Sequence, residues 1–142
     1  MHRDIKPENI LVVATEPSVE IRVADFGISR VAVDRDSFPG LTGTGLVIGT
    51  PFYMAPEVQM GMKYDSTVDI WSIGVSLYQM LYLEQPHGKE RGLDNPAIIH
   101  FPMCSFVSDE LKTFIRRCLQ PPKFRMDFDE FFARLDSNLT MK

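Results

Sequence analysis

The sequence predicts a mainly α-helical protein that carries one small β-hairpin. Three observations predict it. Two short apolar segments, Ile10–Val13 and Val19–Ala24, flank the turn-forming Thr15-Glu16-Pro17-Ser18. A nearly continuous apolar run covers Val68 to Leu83. Two later segments repeat apolar residues at helical spacing: Leu111, Phe114, Ile115, Cys118 and Leu119, then Phe128, Phe131, Phe132 and Leu135. With 142 residues, 44% of them hydrophobic and 24% charged, the chain has an ordinary globular composition, of one domain or part of a larger one.

Taken in order, residues 1–9 read as an irregular loop, because Pro7 has no amide to give a strand ladder. Ile10-Leu11-Val12-Val13 is a short strand. Val19, Ile21 and Val23 alternate with Glu20, Arg22 and Ala24, the period of a half-buried strand, and the two strands pair as a hairpin. Residues 25–57 hold Gly27, Gly40, Gly43, Gly45 and Gly49 with Pro39, Pro51 and Pro56, and no apolar period survives there. A structureless segment of that length inside a domain is usually functional. Ser66 and Asp69 are spaced as a capping box for a helix that runs to about Leu83. That helix is apolar nearly all round and should be central. Residues 84–106 read as irregular, with one short helix near Asn95–His100. Ser108 caps the next helix and Pro121-Pro122 stops it; a last amphipathic helix follows.

The formal net charge is −4 and the pI near 5.3, which argues against a general nucleic-acid surface. There is no polybasic run for a membrane surface. The longest apolar stretch is interrupted by Asp69, Ser72, Ser76 and Gln79, so it reads as a buried helix rather than a span of about 20 apolar residues. Cys104 and Cys118 make no disulfide framework and read as buried thiols of a reduced compartment, cytoplasmic or nuclear. The expectation is no nucleic-acid and no membrane partner, with oligomeric state left open.

The chemistry begins at the hairpin. Asn9 stands before its first strand and Asp25 after its second, so antiparallel pairing returns Asp25 to the neighbourhood of Asn9. Both offer hard oxygen, the donor that Mg²⁺ takes. Asp4 and Lys6 are two apart and project the same way from an extended loop. An acceptor for a hydroxyl proton then stands beside a cation for phosphoryl oxygens. Gly27, after Asp25-Phe26, lets the backbone redirect.

His2-Arg3-Asp4-Ile5-Lys6-Pro7-Glu8-Asn9, Asp25-Phe26-Gly27 and Ala55-Pro56-Glu57 occur in that order, and through them the chain resembles the eukaryotic protein kinases. The resemblance implies a truncated kinase-like fold, the C-terminal lobe alone. Its parts would be a catalytic loop and hairpin over 1–24, an activation segment over 25–57 and a helical subdomain over 58–142. It implies transfer of the γ-phosphoryl group of ATP to serine or threonine hydroxyls of protein substrates, with Mg²⁺. Asp4 would be the base, Lys6 the stabiliser of the phosphoryl group, and Asn9 and Asp25 the magnesium residues. Leu11 would floor the adenine, although a leucine in the hairpin core explains it too. Lys6 with Gly49-Thr50-Pro51 resembles the serine/threonine subclass, and Thr50 would bond near Asp4 and Lys6.

The same resemblance gives structural roles. His2 packs beneath Phe26, and Asp69 holds the loop backbone as well as capping its helix. Glu57 pairs with Arg125, reached through Cys118-Leu119-Gln120-Pro121-Pro122-Lys123-Phe124-Arg125, one residue shorter than the family pattern. Arg3 beside Asp4 suggests control by a phosphate on Thr44 or Thr42, with Ser37 also available. The family's Gly-rich loop, strand lysine and helix glutamate do not occur in the sequence, so little activity is expected of the chain alone. A non-catalytic interaction protein derived from a kinase is the main alternative. Small-molecule phosphoryl transfer ranks below it, because Gly49–Glu57 reads as a platform for a peptide substrate.

Overall fold

A computed structural model describes residues 1–27, 49–86, 99–103 and 106–138. Ser37, Thr42, Thr44 and Cys104 lie outside the described residues, as does most of the segment in which a helix near Asn95–His100 was expected. Ile99 and His100, its described end, are not helical.

The strands are β1 (Ile10–Thr15) and β2 (Ser18–Val23), antiparallel, with Ile10 opposite Val23 and Thr15 opposite Ser18. The first is longer than the apolar pattern suggests, the second is shifted by one residue toward the turn, and the connection shrinks to Glu16-Pro17. The register stacks Ile10 with Val23, Val12 with Ile21, and Ala14 with Val19 on one face. The expected half-burial is not found. Val12, Val19 and Ile21 are each about two-thirds exposed, so the alternation marks an apolar face that the described residues leave open. Leu11 lies on the other face, opposite Arg22, and is half exposed, which removes the hairpin-core explanation for it. Residues 1–9 are not wholly irregular: Pro7–Asn9 forms a 3₁₀ turn.

Among the described residues four helices follow: α1 (Pro56–Gln59), α2 (Val68–Tyr82), α3 (Asp109–Cys118) and α4 (Phe128–Asn138). A 3₁₀ turn at Pro51–Tyr53 falls inside the stretch expected to lack structure, and helix α1 begins at its end. Both begin with proline, whose fixed φ suits a first helical position and whose missing amide costs nothing there. A segment this short shows no periodicity to read.

Helix α2 is central, with Ile70, Trp71, Val75 and Tyr78 all buried. Its start corrects the capping-box expectation. Asp65, not Ser66, organises the entry: its Oδ1 accepts from the Thr67 amide at 2.8 Å and the Thr67 hydroxyl at 2.6 Å. Helix α3 starts on Ser108, whose hydroxyl accepts from the Leu111 amide at 3.2 Å. Asp109 and Glu110 sit in its first turn and Arg116 and Arg117 in its last, complementing the helix dipole. Asp127 serves α4 in the same way, accepting from the Glu130 amide at 2.8 Å.

The core gathers α2, α3 and α4 around Ile70, Val75, Ile115, Leu119 and Met126. Phe114 and Phe131 pack at 5.2 Å between ring centroids and join α3 to α4. Phe132, expected on the buried face, is 57% exposed. Gly74 explains how α2 approaches α3: a Cβ there would stand 2.6 Å from that of Cys118. Cys118 is fully enclosed, and burial pushes its thiol up to about 12. Among the described residues no helix is long and apolar enough to cross a membrane.

Candidate active site

The site is assembled on the buried carboxylate of Asp69. Its Oδ2 accepts from the His2 amide at 2.7 Å and its Oδ1 from the Arg3 amide at 2.8 Å. A helix buried in the core thereby fixes the loop 66 residues away in sequence. Arg3 needs that support, because its φ of 73° is the left-handed region that side chains disfavour. Of the two roles expected of Asp69, the structure shows the loop anchor, and the side chain is not spent on capping.

The loop projects Asp4, whose carboxylate meets four donors. Oδ1 accepts from the Thr50 amide at 3.0 Å and the Thr50 hydroxyl at 2.8 Å. Oδ2 accepts from Lys6 Nζ at 2.9 Å and Asn9 Nδ2 at 3.2 Å. A carboxylate offers about four lone-pair directions, so this one is filled. Burial works to raise the Asp4 pKa, but the hydrogen bonds from Lys6 and Thr50 outweigh it and hold the carboxyl below its usual range. Lys6 is held above its ordinary value, chiefly by its hydrogen bond to Asp4 and further by the charges of Glu8 and Asp25.

Thr50 links the pair. Its hydroxyl donates to Asp4 and accepts from Lys6 Nζ at 2.7 Å. Gly49 makes the approach possible: its φ is 124°, and a Cβ there would stand 2.9 Å from the Arg3 carbonyl oxygen.

Asn9 is buried, and its amide nitrogen also donates to the Asp4 carbonyl at 2.9 Å. That leaves Oδ1 as the atom of this side chain able to take a cation. The Ala24 amide donates to the Asn9 carbonyl at 2.8 Å, so the strand ladder continues one step beyond Ile10 and Val23. Asp25 follows with φ 60°, its Oδ1 accepting from the Gly27 amide at 3.2 Å. A short acidic side chain that bonds its own backbone tolerates this conformation. Phe26 is exposed, but its ring lies 4.8 Å from that of buried His2, whose Nε2 is 3.0 Å from the Ala24 carbonyl oxygen. Among the described residues no three His, Cys, Asp or Glu side chains cluster as a metal site. The hard oxygens of Asn9 and Asp25 fit a magnesium ion whose remaining ligands are phosphate oxygens.

Below the loop, Glu57 and Arg125 form a buried two-pronged pair at 2.6 and 3.0 Å. Arg125 also donates to the carbonyls of Gln120 and Thr67 and lies 5.2 Å from the Trp71 ring centroid. The shortened stretch before Arg125 does not displace it.

Sequence reasoning missed Gln59 and Tyr53. The Gln59 amide donates to the carbonyls of Pro51 at 3.0 Å and Met54 at 2.8 Å, and the Tyr53 hydroxyl donates to Gln79 at 2.5 Å. The Pro at position 51, pointing to a turn, was the only local signal.

Comparison with known proteins gives the family. The family model described as protein kinase domain matches residues 1–133. The calcium/calmodulin-dependent protein kinase cmkB of Emericella nidulans is 40% identical over 135 residues, covering 89% of this chain and 32% of that protein. The serine/threonine-protein kinase ATG1b of Arabidopsis thaliana is 34% identical over 140 residues, 93% of this chain and 19% of that protein. The human serine/threonine-protein kinase tousled-like 1 is 37% identical over 134 residues, 84% of this chain and 17% of that protein. The chain belongs to the protein kinase family. It spans a third or less of the length of these three relatives.

Proposed function

We propose that this chain supplies the substrate and metal side of a serine/threonine protein kinase, which moves the γ-phosphoryl group of ATP to a serine or threonine hydroxyl of a protein. The observation that carries this reading is the convergence of Lys6, Asn9 and Thr50 on the Asp4 carboxylate. Asp4, held ionised, orients the hydroxyl and receives its proton as the oxygen bonds to phosphorus and the bond to the leaving diphosphate breaks. Because the carboxylate is filled, the hydroxyl must replace one donor. Lys6 is the group to give way, since a phosphoryl oxygen offers its ammonium a second anionic partner. Thr50 then holds Asp4 in place.

Asn9 and Asp25 hold magnesium, which when bound neutralises charge on the phosphates. Leu11 floors the adenine, in keeping with its place on the hairpin face away from the apolar pairs. Residues 1–24 are the catalytic loop and hairpin, 25–57 the activation segment with Thr44 or Thr42 as the modified hydroxyl, and 58–142 the helical subdomain of a C-terminal lobe. Arg3, so close to Asp4 in the loop, would read that modification. The protein works in the cytoplasm or nucleus. By itself the chain turns over little, because its sequence holds no Gly-rich loop and no strand lysine for the phosphates.

A phosphotransfer assay with labelled ATP, magnesium and a serine/threonine peptide mixture tests this. Any label should fall on serine or threonine, at a low rate, and vanish in Asp4→Asn and Asp25→Ala. Robust turnover would overturn the low-activity part. Label indifferent to both substitutions would overturn the site. Calorimetric titration with magnesium and ATP gives a second readout, in which Asp25→Ala should weaken the binding of the ion.

A further inference from the structure

The chain comes back to the end of α2 at Ile99, which is buried. The Tyr78 hydroxyl donates to the next carbonyl, that of His100, at 2.7 Å. The Phe101 ring follows, its centroid 5.5 Å from that of Tyr78 and 5.8 Å from that of Tyr82, and the two tyrosines stand 4.7 Å apart. Three mutually packed rings and a hydrogen-bonded backbone fix Phe101 in one place. Arg116, exposed on α3, lies over that ring, with its Cζ 4.6 Å from the centroid. Past the ring the chain presents apolar groups to solvent: Pro102 is exposed and Met103 fully so.

Arg116 differs from its neighbours on α3 in what it meets. Lys112 pairs with Asp109 at 3.2 Å and Arg117 with Glu130 at 2.7 Å. Among the described residues Arg116 meets no carboxylate, and the Phe101 ring holds it instead. A ring face attracts the charge but leaves the N–H donors to water. A long cation normally loses rotamer freedom when an anion captures it. Here the ring already restricts it, so a carboxylate gains a charge-assisted bond at a smaller entropic cost. Arginine, methionine and aromatic side chains are also the ones enriched where proteins meet. The net charge of −4 works against an anionic membrane, whose many charges face the whole molecule. A single carboxylate feels mainly the guanidinium beside it.

We propose that Arg116, held on Phe101, forms with Pro102 and Met103 a docking surface for a partner polypeptide that presents a glutamate or aspartate beside a bulky apolar side chain. The carboxylate takes the guanidinium, and the apolar side chain covers Met103. None of these residues enters the phosphotransfer reading, which stands or falls separately.

The test titrates three capped peptides of equal length into the full chain and follows the Arg116 Nε–H and Met103 methyl resonances by NMR. Their centres are leucine-glutamate-leucine, leucine-glutamine-leucine and serine-glutamate-serine. The first should bind about fivefold tighter than either of the others, the scale of one charge-assisted bond or one apolar side chain partly covered. Arg116→Gln, at an exposed position, should remove the advantage over the glutamine peptide. Arg116→Lys keeps the charge but not the planar fork, and guards against a folding defect in the glutamine variant; it should retain only part of that advantage. Met103→Ser should remove the advantage over the serine peptide. Vesicles rich in phosphatidylserine should leave both resonances unmoved. The proposal is overturned by a first peptide that gives no saturable shift, or by a response to the vesicles in its place. It is equally overturned by a glutamate advantage that survives Arg116→Gln or a leucine advantage that survives Met103→Ser. Each of these results leaves phosphate transfer, and its response to Asp4→Asn, to be judged by itself.

Discussion

Asp4 owes its character to its neighbours rather than to its place beside Arg3. Two oxygens accept four hydrogen bonds, two of them from Thr50. The hydrogen bonds favour the ionised form against the opposing effect of burial. Thr50→Val removes the hydroxyl bond while keeping the amide bond and the shape. The Asp4 pKa should then rise toward the ordinary carboxylate range, measurable by NMR titration of the labelled carboxyl carbon. A depressed folded-state pKa contributes stability above the unfolded carboxylate value, and that contribution is lost as pH falls through the folded value. The variant should therefore show a smaller loss of stability on acidification than the parent. An unchanged Asp4 titration would show that Thr50 does not control the carboxylate. The motif spacing in the sequence pointed to Asp4, Lys6 and Asn9. It did not show that Asn9 spends its amide nitrogen on Asp4, because that bond depends on the 3₁₀ turn at Pro7–Asn9.

Among the elements, α2 does most to position the site. Asp69 in its first turn holds the loop amides, Ser72 one turn later holds Tyr53, and Gln79 near its end meets the Tyr53 hydroxyl. Its long apolar run was plain in the sequence, as were the segments of α3 and α4. The ends were not. Asp65 rather than Ser66 sets the entry, and Leu83 closes the helix with φ 56° where glycine is usual. Gly74 costs the helix about 1 kcal/mol of propensity relative to alanine. That cost is offset by the close approach of α3. Gly74→Ala should for this reason destabilise the protein by about 1–3 kcal/mol despite its better propensity, as overpacked cores do. Chemical denaturation will decide. A gain in stability would mean that α3 can move away without loss.

For the molecule as a whole, Glu57 and Arg125 join the end of the platform to the chain beyond α3, across 68 residues. Both side chains are almost fully enclosed. Arg125→Ala leaves a buried carboxylate without its cation and should cost about 3–5 kcal/mol. Arg134→Ala, at a partly exposed ion pair with Glu130, should cost under about 1 kcal/mol. Equal losses in urea denaturation would show that the buried pair has no special weight.

The sequence by itself determined the segments of α2, α3 and α4 and the hairpin, and it singled out the candidate site residues, because apolar periodicity and short motifs are properties of neighbouring positions. It misjudged the burial of the hairpin, since alternation fixes which side chains share a face but not whether anything covers that face. The resemblance led to the expectation that Asp69 faces the loop, that Thr50 closes on Asp4 and that Arg125 reaches Glu57, but only the tertiary structure brought these side chains into contact, the last through a shortened connection. Each of these joins residues more than forty positions apart, and such contacts depend on how the helices pack.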